Sequence, residues 1–163
     1  QLCEAWEQQA LRAKEFGVRV CTIRTGLVLA STGGFLHKML LPFKLGLGGK
    51  LGSGQQYMPW VHINDMVRLL AFLADNEQAQ GPFNACSANP VRNDEFTKTL
   101  AQTLHRYAFI PIPAWLLKGV LGEMSGLLLT GQRAIHEKAH AMGFNFAYSN
   151  LQTALTDILQ TIH

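Results

Sequence analysis

The chain has 163 residues, of which 48% are apolar and only 15% are charged, and its net charge is +3. This size and apolar content are sufficient for a compact unit with a real core. The scattered Lys and Arg residues exclude a basic surface for nucleic acid, and no apolar stretch approaches the ~20 residues of a membrane-spanning helix. The three cysteines are far apart and form no C-x-x-C pair, which is typical of free thiols and predicts a cytoplasmic protein.

The first predicted elements are a helix and a buried strand. Apolar residues recur at helical spacing from Leu2 to Phe16, and Gly17 is a natural end for this helix. The segment Val18–Leu29 is β-branched and almost continuously apolar, as expected of a strand that is covered on both faces. A helix, a short turn and a buried strand form the repeating unit of a parallel α/β sheet.

The next segment joins a helix to a glycine-dense loop. Ser31–Gly34 is predicted as a loop, and Phe35–Leu45 as an amphipathic helix that Pro42 kinks or breaks. The segment Gly46–Gly54 has neither the G-x-G-x-x-G spacing nor the Lys-Ser/Thr ending of a phosphate-binding loop, and a strand is predicted after it. We therefore predict a mobile loop or a bent ribbon there.

Two further strand–helix pairs are predicted after this loop. Trp60–Ile63 is a short strand, and Asn64 and Asp65 are predicted to cap the helix that follows. Phe83–Ser87 is another short buried strand, and a helix is predicted to begin at Asn93. This alternation of strands and helices continues to about residue 106.

The sequence changes character after residue 106. Ile110–Pro113 is predicted as an extended connector, because the residue before a proline avoids the α region. The helical segments predicted beyond it are 114–121, 123–129, 134–141 and a last one capped by Ser149 or Asn150. We therefore predict an α/β part over residues 1–106 and a small helical cap over residues 107–163.

One motif suggests a metal site. The segment from His136 to His140 reads H-E-K-A-H, and in H-E-x-x-H helices two histidines one turn apart bind Zn²⁺ while the glutamate acts as general base. A zinc hydrolase is therefore one alternative function. The short helix, the lack of a third ligand at a recognised spacing and the neighbouring Lys138 favour two surface histidines instead. We expect no metal site.

Three stretches, in this order, resemble extended short-chain dehydrogenase/reductases. They read FGVRVCTIRTGLVLA, PWVHINDMVRLLAFL and GPFNACSANPVRNDEFTKTLAQTL. Within that superfamily the chain is most similar to bacterial NAD-dependent epimerase/dehydratase-like proteins, loosely called cell-division-inhibitor-like, which have a short helical C-terminal tail. The resemblance implies the C-terminal part of a doubly wound, Rossmann-like parallel sheet plus a small helical cap.

The resemblance also implies a cofactor and its contacts. The family binds NADP or NAD through a glycine-rich turn, and since this sequence contains no such turn, we expect the intact protein but not this chain alone to bind the cofactor. The implied contacts are to the nicotinamide for Gly26, Leu27 and Val28, and to the substrate for Trp60, His62 and Arg133. The expected partner is the missing N-terminal half of the same protein.

The catalytic residues cannot be assigned by resemblance. The family's catalytic Lys falls near Leu2 or Cys3 and its Tyr falls before Gln1, so the usual Tyr–Lys pair is not present in this sequence. The implied function is the substrate-side half of an NADP(H)-dependent oxidoreductase or epimerase-like protein that acts on a small carbonyl or hydroxyl compound. A non-catalytic binding protein that retains the fold is the alternative. We expect this chain alone to be inactive, and to associate with the missing half or with itself through an open sheet edge.

Overall fold

The computed structural model describes residues 2–108, 110–113, 115, 126 and 130–160. The helices are α1 (Leu2–Leu11), α2 (Gly34–Lys44), α3 (Ile63–Asp75), α4 (Asn93–Thr103), α5 (Glu137–Ala141) and α6 (Leu151–Gln160), and a 3₁₀ turn (Arg12–Phe16) extends α1. The strands are β1 (Cys21–Thr25), β2 (Leu27–Leu29), β3 (Tyr57–Met58), β4 (Trp60–His62), β5 (Gly81–Ala85) and β6 (Val91–Arg92). No helix among the described residues is long and apolar enough to span a membrane.

The sheet is built from short parallel pairs. The strand β1 pairs with β5, the strand β2 pairs with β4, and both pairs are parallel, while β3 and β6 pair antiparallel. The strand β4 lies between β2 and the chain that follows β5, because Leu27 donates its N–H to the Pro59 carbonyl oxygen and Ser87 donates its N–H to that of Trp60. The chain thus changes its pairing partner between β1, which pairs with β5, and β2, which pairs with β4.

Two apolar clusters hold the helices to these strands. The first packs α2, α4 and α6 against β2 and β4, with Trp60 and Phe96 fully buried in it. The second packs α3 and α5 against β5, with Phe83 and Leu69 at its centre. By contrast, α1 has no buried residue, and the side chain of Trp6 is 66% exposed. The strand β1 therefore has a helix nearby that does not pack tightly on it.

Three sequence predictions need correction. The continuous strand predicted over Val18–Leu29 is divided at Gly26, where the chain changes its pairing partner. The predicted helix over residues 134–141 begins only at Glu137. The helix α3 is capped by His62 rather than by Asn64 or Asp65, because Nδ1 of His62 accepts the N–H of Asn64 at 3.1 Å.

Most of the other predicted elements are confirmed. Gly17 ends the first helical segment in the left-handed region, with φ of 72°. The helix α2 contains Pro42 as predicted, and the predicted loop over residues 46–54 contains no helix and only an isolated bridge at Leu51. Asn150 caps α6, since its Oδ1 accepts the N–H of Thr153 at 3.1 Å. The helices predicted over residues 114–121 and 123–129 lie almost entirely outside the described residues, and the division at residue 106 stays a prediction.

Candidate functional site

An open cleft of about 840 Å³ lies between α1 and β1. Its volume falls within the range of roughly 300–1,000 Å³ that is usual for small-molecule and cofactor sites. The lining residues are Cys3, Trp6, Glu7 and Ala10 from α1, residues 21–26 from β1 and its end, and Pro59, Asn84, Cys86 and residues 132–135. Gly26 and Arg133, for which the family resemblance implies contacts to the nicotinamide and to the substrate, thus line the same cleft.

Gly26 lies where three strands meet. Its N–H donates to the Ala85 carbonyl oxygen at 3.0 Å, and the next residue, Leu27, donates to the Pro59 carbonyl oxygen at 2.6 Å. A Cβ built at Gly26 would lie 2.3 Å from the Pro59 oxygen and 3.2 Å from the Ala85 oxygen. Because both atoms belong to backbone, no side chain fits here, and the cleft has bare backbone at this point of its wall.

The charged pair Glu7–Arg24 joins α1 to β1 across the cleft. Arg24 donates from Nε and Nη2 to the two carboxylate oxygens of Glu7, at 2.7 and 2.8 Å. This bidentate hydrogen bonding lowers the pKa of Glu7 and raises the pKa of Arg24 relative to their ordinary values. The two charges neutralise each other, and the pair ties the otherwise loosely packed helix to the strand.

Arg133 is the charged group of the cleft that has no ionic partner among the described residues. Its guanidinium lies over the ring of Tyr57, 5.8 Å from the centroid, and Arg92 lies at the same distance from that ring. The segment that carries Arg133 is attached to the sheet, since Asn84 Nδ2 donates to the Ile135 carbonyl oxygen at 2.9 Å. The cleft therefore offers one positive charge without an ionic partner to an anionic group.

The three cysteines also line the cleft, in different environments. Cys3 is exposed, Cys21 is half-buried and donates to the Ala79 carbonyl oxygen, and Cys86 is buried. Burial raises the pKa of the Cys86 thiol to about 11. Cys86 is therefore a protonated thiol at neutral pH and not a nucleophile.

The other residues assigned by resemblance lie away from this cleft. Trp60 is fully buried in the first apolar cluster and donates its Nε1–H to the Asn89 carbonyl oxygen at 3.2 Å. His62 is also buried and stacks on Tyr148 at 3.7 Å. Neither these two residues nor Leu27 and Val28 belong to the lining of the cleft. Their contacts with substrate and cofactor stay predictions.

His62 occupies a charged environment at the start of α3. Its Nδ1 accepts a hydrogen bond, so the neutral ring carries its proton on Nε2, which lies 3.2 Å from Asp157 Oδ2 without hydrogen-bond alignment. Burial lowers the pKa of His62, and the charges of Asp157 and Asp65 oppose that shift. Burial therefore favours the neutral form of the ring, which caps the N-terminus of α3.

Asp65 has a role that the sequence did not reveal. Its carboxylate is fully buried and accepts the backbone N–H groups of Ala147 and Tyr148 at 3.0 and 2.9 Å. Arg68 donates to the same carboxylate at 2.7 Å. The residue thus binds α3 to the segment that precedes α6. No local pattern predicts this, because the partners lie about 80 residues further along the chain.

The H-E-x-x-H motif does not form a metal site among the described residues. His136 precedes α5, and its ring lies 5.9 Å from that of His140, edge to face. No group of three His, Cys, Asp or Glu side chains within the described part of the chain is arranged to hold a metal ion. Burial, followed by the charge of His140, lowers the pKa of His136. Nothing in this geometry supports the zinc hydrolase alternative.

The sequence matches two families over most of its length. Residues 1–86 match the NAD dependent epimerase/dehydratase family, and residues 112–158 match a domain of unknown function, DUF1731. An epimerase family protein of Staphylococcus epidermidis is 43% identical over 155 residues, which are 95% of this chain and 52% of that protein. One from Staphylococcus aureus is 42% identical, with the same coverage of 95% and 52%. The chain spans about half the length of the curated relatives it matches.

Solved structures show the same fold. The human epimerase family protein SDR39U1, determined with NADPH, superposes with a TM-score of 0.85 and 37% identity, over 88% of this chain and 49% of that chain. A nucleoside-diphosphate sugar epimerase from Corynebacterium glutamicum superposes with a TM-score of 0.74 and 30% identity, over 96% of this chain and 30% of that chain. These likenesses confirm the predicted Rossmann-like α/β fold.

Proposed function

Because the chain belongs to the NAD dependent epimerase/dehydratase family, we propose that it forms the substrate-side wall of an NAD(P)-dependent oxidoreductase or epimerase-like site in the intact protein. The observation that carries this proposal is the cleft in which Gly26 and Arg133 meet. The family resemblance implies a contact to the nicotinamide for Gly26 and a contact to the substrate for Arg133, and these two residues are 107 positions apart in the sequence. The remaining half of the protein supplies the rest of the cofactor site.

The residues of the cleft fit the nicotinamide end of the cofactor. The bare backbone at Gly26 allows a flat ring to approach the junction of β1 and β2, where any larger residue would displace the Pro59 carbonyl. When bound, the cofactor supplies hydride transfer. The sequence contains no glycine-rich turn for a diphosphate, so this chain fits only one end of the cofactor.

The charged residues of the cleft orient the substrate. The pair Glu7–Arg24 connects α1 to β1, and Asn84 holds the segment that carries Arg133. Arg133 is then free to donate to an anionic or strongly polar group of a small carbonyl or hydroxyl compound.

The alternative is a binding protein without catalysis. The described lining of the cleft contains no Tyr, Lys or His. Its carboxylate, that of Glu7, is already hydrogen-bonded to Arg24. A group that transfers a proton to or from the substrate therefore comes from the other half of the protein, or the protein binds its ligand without converting it. Hydride exchange between labelled NADPH and candidate substrates distinguishes the two.

The test is NADPH titration of the intact protein carrying a fluorine label on the exposed Cys3, which lines the cleft. We expect a saturable change of the fluorine resonance and no saturable change when this chain is titrated alone. Arg133→Ala is expected to leave NADPH affinity unchanged and to weaken the binding of an anionic substrate. Arg12→Ala, on the 3₁₀ turn, is the matched control. Micromolar NADPH binding by this chain alone would contradict the proposed division of the cofactor site.

The substrate is proposed to be smaller than a nucleotide sugar. Many sugar-nucleotide members of the superfamily carry an Arg-Asp pair seven and six residues before the Asp at the position of Asp65, and here these positions are Met58 and Pro59. Met58 is buried, and its sulfur accepts a hydrogen bond from Asn93. Losing charge-assisted contacts of this kind costs roughly 1.5–3 kcal/mol each, or one to two decades of affinity.

A nucleoside-diphosphate sugar is the competing substrate class, since the similar protein from Corynebacterium glutamicum is described as an epimerase of such sugars. Calorimetry of the intact protein with UDP-glucose, UDP-galactose and dTDP-glucose decides between them. We expect no binding at tens of micromolar. Binding at that level that survives Arg133→Ala would refute the argument from Met58 and Pro59. Association with the other half or with a second copy, and a cytoplasmic location, stay predictions.

A further inference from the structure

The segment 130–136 is attached to the sheet on both sides of Arg133. It contains no helix or strand, yet residues 132–135 form one side of the cleft. Gly131 lies against the backbone of Tyr57, since a Cβ built at Gly131 would overlap the Tyr57 carbonyl oxygen. Two residues after Arg133, the Ile135 carbonyl oxygen accepts the N–H of Asn84 Nδ2 at 2.9 Å. The backbone is thus held before and after Arg133, and only the side chain of Arg133 remains to be placed.

The ring of Tyr57 determines where that side chain lies. The Arg133 guanidinium lies over the ring, 5.8 Å from the centroid, which is within the ~6 Å over which a cation and an aromatic ring attract each other. Tyr57 is half-buried on β3, and Pro59, two residues further along the chain, lines the cleft. The ring therefore holds the charge beside the cleft, although Tyr57 itself is not part of the lining.

The ring is itself held by the neighbouring strand. Arg92 lies directly opposite Tyr57 in the antiparallel pair of β3 and β6, and its guanidinium is also 5.8 Å from the centroid of the ring. Arg92 donates a hydrogen bond to Gln55 Oε1. Arg133, by contrast, forms the ring contact but no hydrogen bond or salt bridge within the part of the chain that the structure describes.

A second arginine of the cleft is held in a different way. Arg24 uses the N–H groups of its guanidinium to donate to both carboxylate oxygens of Glu7. A contact with the face of a ring leaves the N–H groups of Arg133 available, and their fork matches a carboxylate or a phosphate. A long exposed side chain loses rotamer freedom when it binds a ligand, and this cost is smaller if the guanidinium is already held in place.

We propose that Tyr57 and Gly131 are positioning residues that hold the Arg133 guanidinium beside the cleft for a carboxylate or phosphate group of the substrate. This inference rests on the proposed function, in which Arg133 contacts the substrate. Tyr57 acts through the Arg133 side chain, and Gly131 acts by allowing the segment to lie against the Tyr57 backbone. The substrate is therefore an anionic hydroxyl or carbonyl compound rather than a neutral one.

The first measurement is the NMR resonance of the Arg133 Nε–H group in the intact protein without ligand. This resonance is identified by its loss in Arg133→Met, and the ring current of Tyr57 shifts it. We expect the shift to disappear in Tyr57→Leu and in Gly131→Ala and to persist in Tyr57→Phe, which retains the ring. Phe16→Leu, at an exposed aromatic residue outside the cleft lining, is the matched control. A resonance that is unchanged in Tyr57→Leu would overturn the positioning role.

The second measurement compares the binding of lactate and of its neutral amide, lactamide, in the presence of NADPH. The two probes have nearly the same size and carry the same hydroxyl group, which the reduced cofactor does not oxidise. We expect the unmodified protein to prefer lactate and Tyr57→Leu to reduce this preference about three- to tenfold. In an Arg133→Met background, Tyr57→Leu is expected to change the preference no further, because the ring acts through that side chain.

The two measurements separate this inference from the proposed function. If Tyr57→Leu weakens lactate and lactamide equally, or has the same effect when Arg133 is absent, the ring has a structural role and the inference is refuted. If the unmodified protein binds lactate and lactamide equally while the ring shift is present, the side chain is placed as inferred, and the contact of Arg133 with an anionic substrate is refuted instead.

Discussion

Replacement of Asp65 by Asn tests how the last part of the chain is attached to the sheet. The carboxylate is fully buried and accepts three hydrogen bonds, from the backbone of Ala147 and Tyr148 and from Arg68. In the variant one oxygen becomes an NH₂ group, which faces a backbone N–H that it cannot accept. That N–H is then left without an acceptor, because an amide NH₂ group donates hydrogen bonds and does not accept them.

The magnitude follows from these contacts. A hydrogen bond to a charged group contributes about 1.5–3 kcal/mol, and the unpartnered N–H adds to its loss. The ion pair with Arg68 contributes little, about 0–1 kcal/mol, because the Arg68 side chain is 50% exposed. We therefore expect Asp65→Asn to lower the free energy of unfolding by about 2–4 kcal/mol, and Arg68→Met by less than about 1 kcal/mol.

The assay is urea denaturation of the intact protein, with hydrogen exchange at the amides of Ala147 and Tyr148 as the local measurement. Asp75→Asn, an exposed acid at the end of α3, is the matched control and is expected to change the free energy of unfolding by less than about 0.5 kcal/mol. If Asp65→Asn costs less than about 1 kcal/mol and both amides remain protected, the carboxylate is not the attachment point that its geometry indicates.

Three further outcomes are expected. Gly26→Ala lowers the free energy of unfolding by about 2–4 kcal/mol, because its Cβ would lie 2.3 Å from a backbone oxygen, whereas Gly126→Ala, with nothing within 4 Å, costs far less in the same denaturation assay. Because burial lowers the pKa of His62, this side chain is protonated at a higher pH in the unfolded chain than in the folded one. The free energy of unfolding therefore falls as the pH drops below about 6.5. We expect it to fall less in His62→Asn, which retains a capping group but does not titrate. Metal analysis of the protein purified without a His tag is expected to find no zinc that depends on His136 or His140, and one equivalent that the variants remove would revive the metal site.

The elements that could be predicted from the sequence are those with local causes. Gly17 ends the first helical segment because the left-handed conformation that it adopts favours glycine, and Asn150 caps α6 through its own side chain. The parallel direction of the strand pairs β1–β5 and β2–β4 followed from the alternation of helices with buried strands, whereas the choice of partners was not predicted. In each case the residues that determine the structure are neighbours in the sequence, or repeat with a period that the sequence displays.

The features that could not be predicted depend on distant partners. Nothing near Gly26 indicates that its strand exchanges one neighbour for another, because the oxygens that exclude a side chain belong to Pro59 and Ala85. Asp65 was predicted as a helix cap because acids are common in the first turn, but its carboxylate is used by the backbone of residues 147 and 148. One signal could have led to the pair in the cleft: Arg24 is a charged residue in a strand that was predicted to be covered on both faces, where a charge is expected to have a partner such as Glu7.

The two walls of the cleft differ in how firmly the rest of the chain holds them. The β1 wall is fixed, since the strand is paired with β5 and its end is held by the bonds to Ala85 and Pro59. The α1 wall is held less firmly, because α1 buries no residue. The ion pair Glu7–Arg24 is solvent-accessible, and such pairs contribute little to stability. A ligand that contacts only this chain must therefore order α1 as it binds, which opposes binding. Packing of further structure against the exposed face of α1, where Trp6 and Leu2 lie, would remove that cost, and cofactor affinity is expected to appear only when that face is covered.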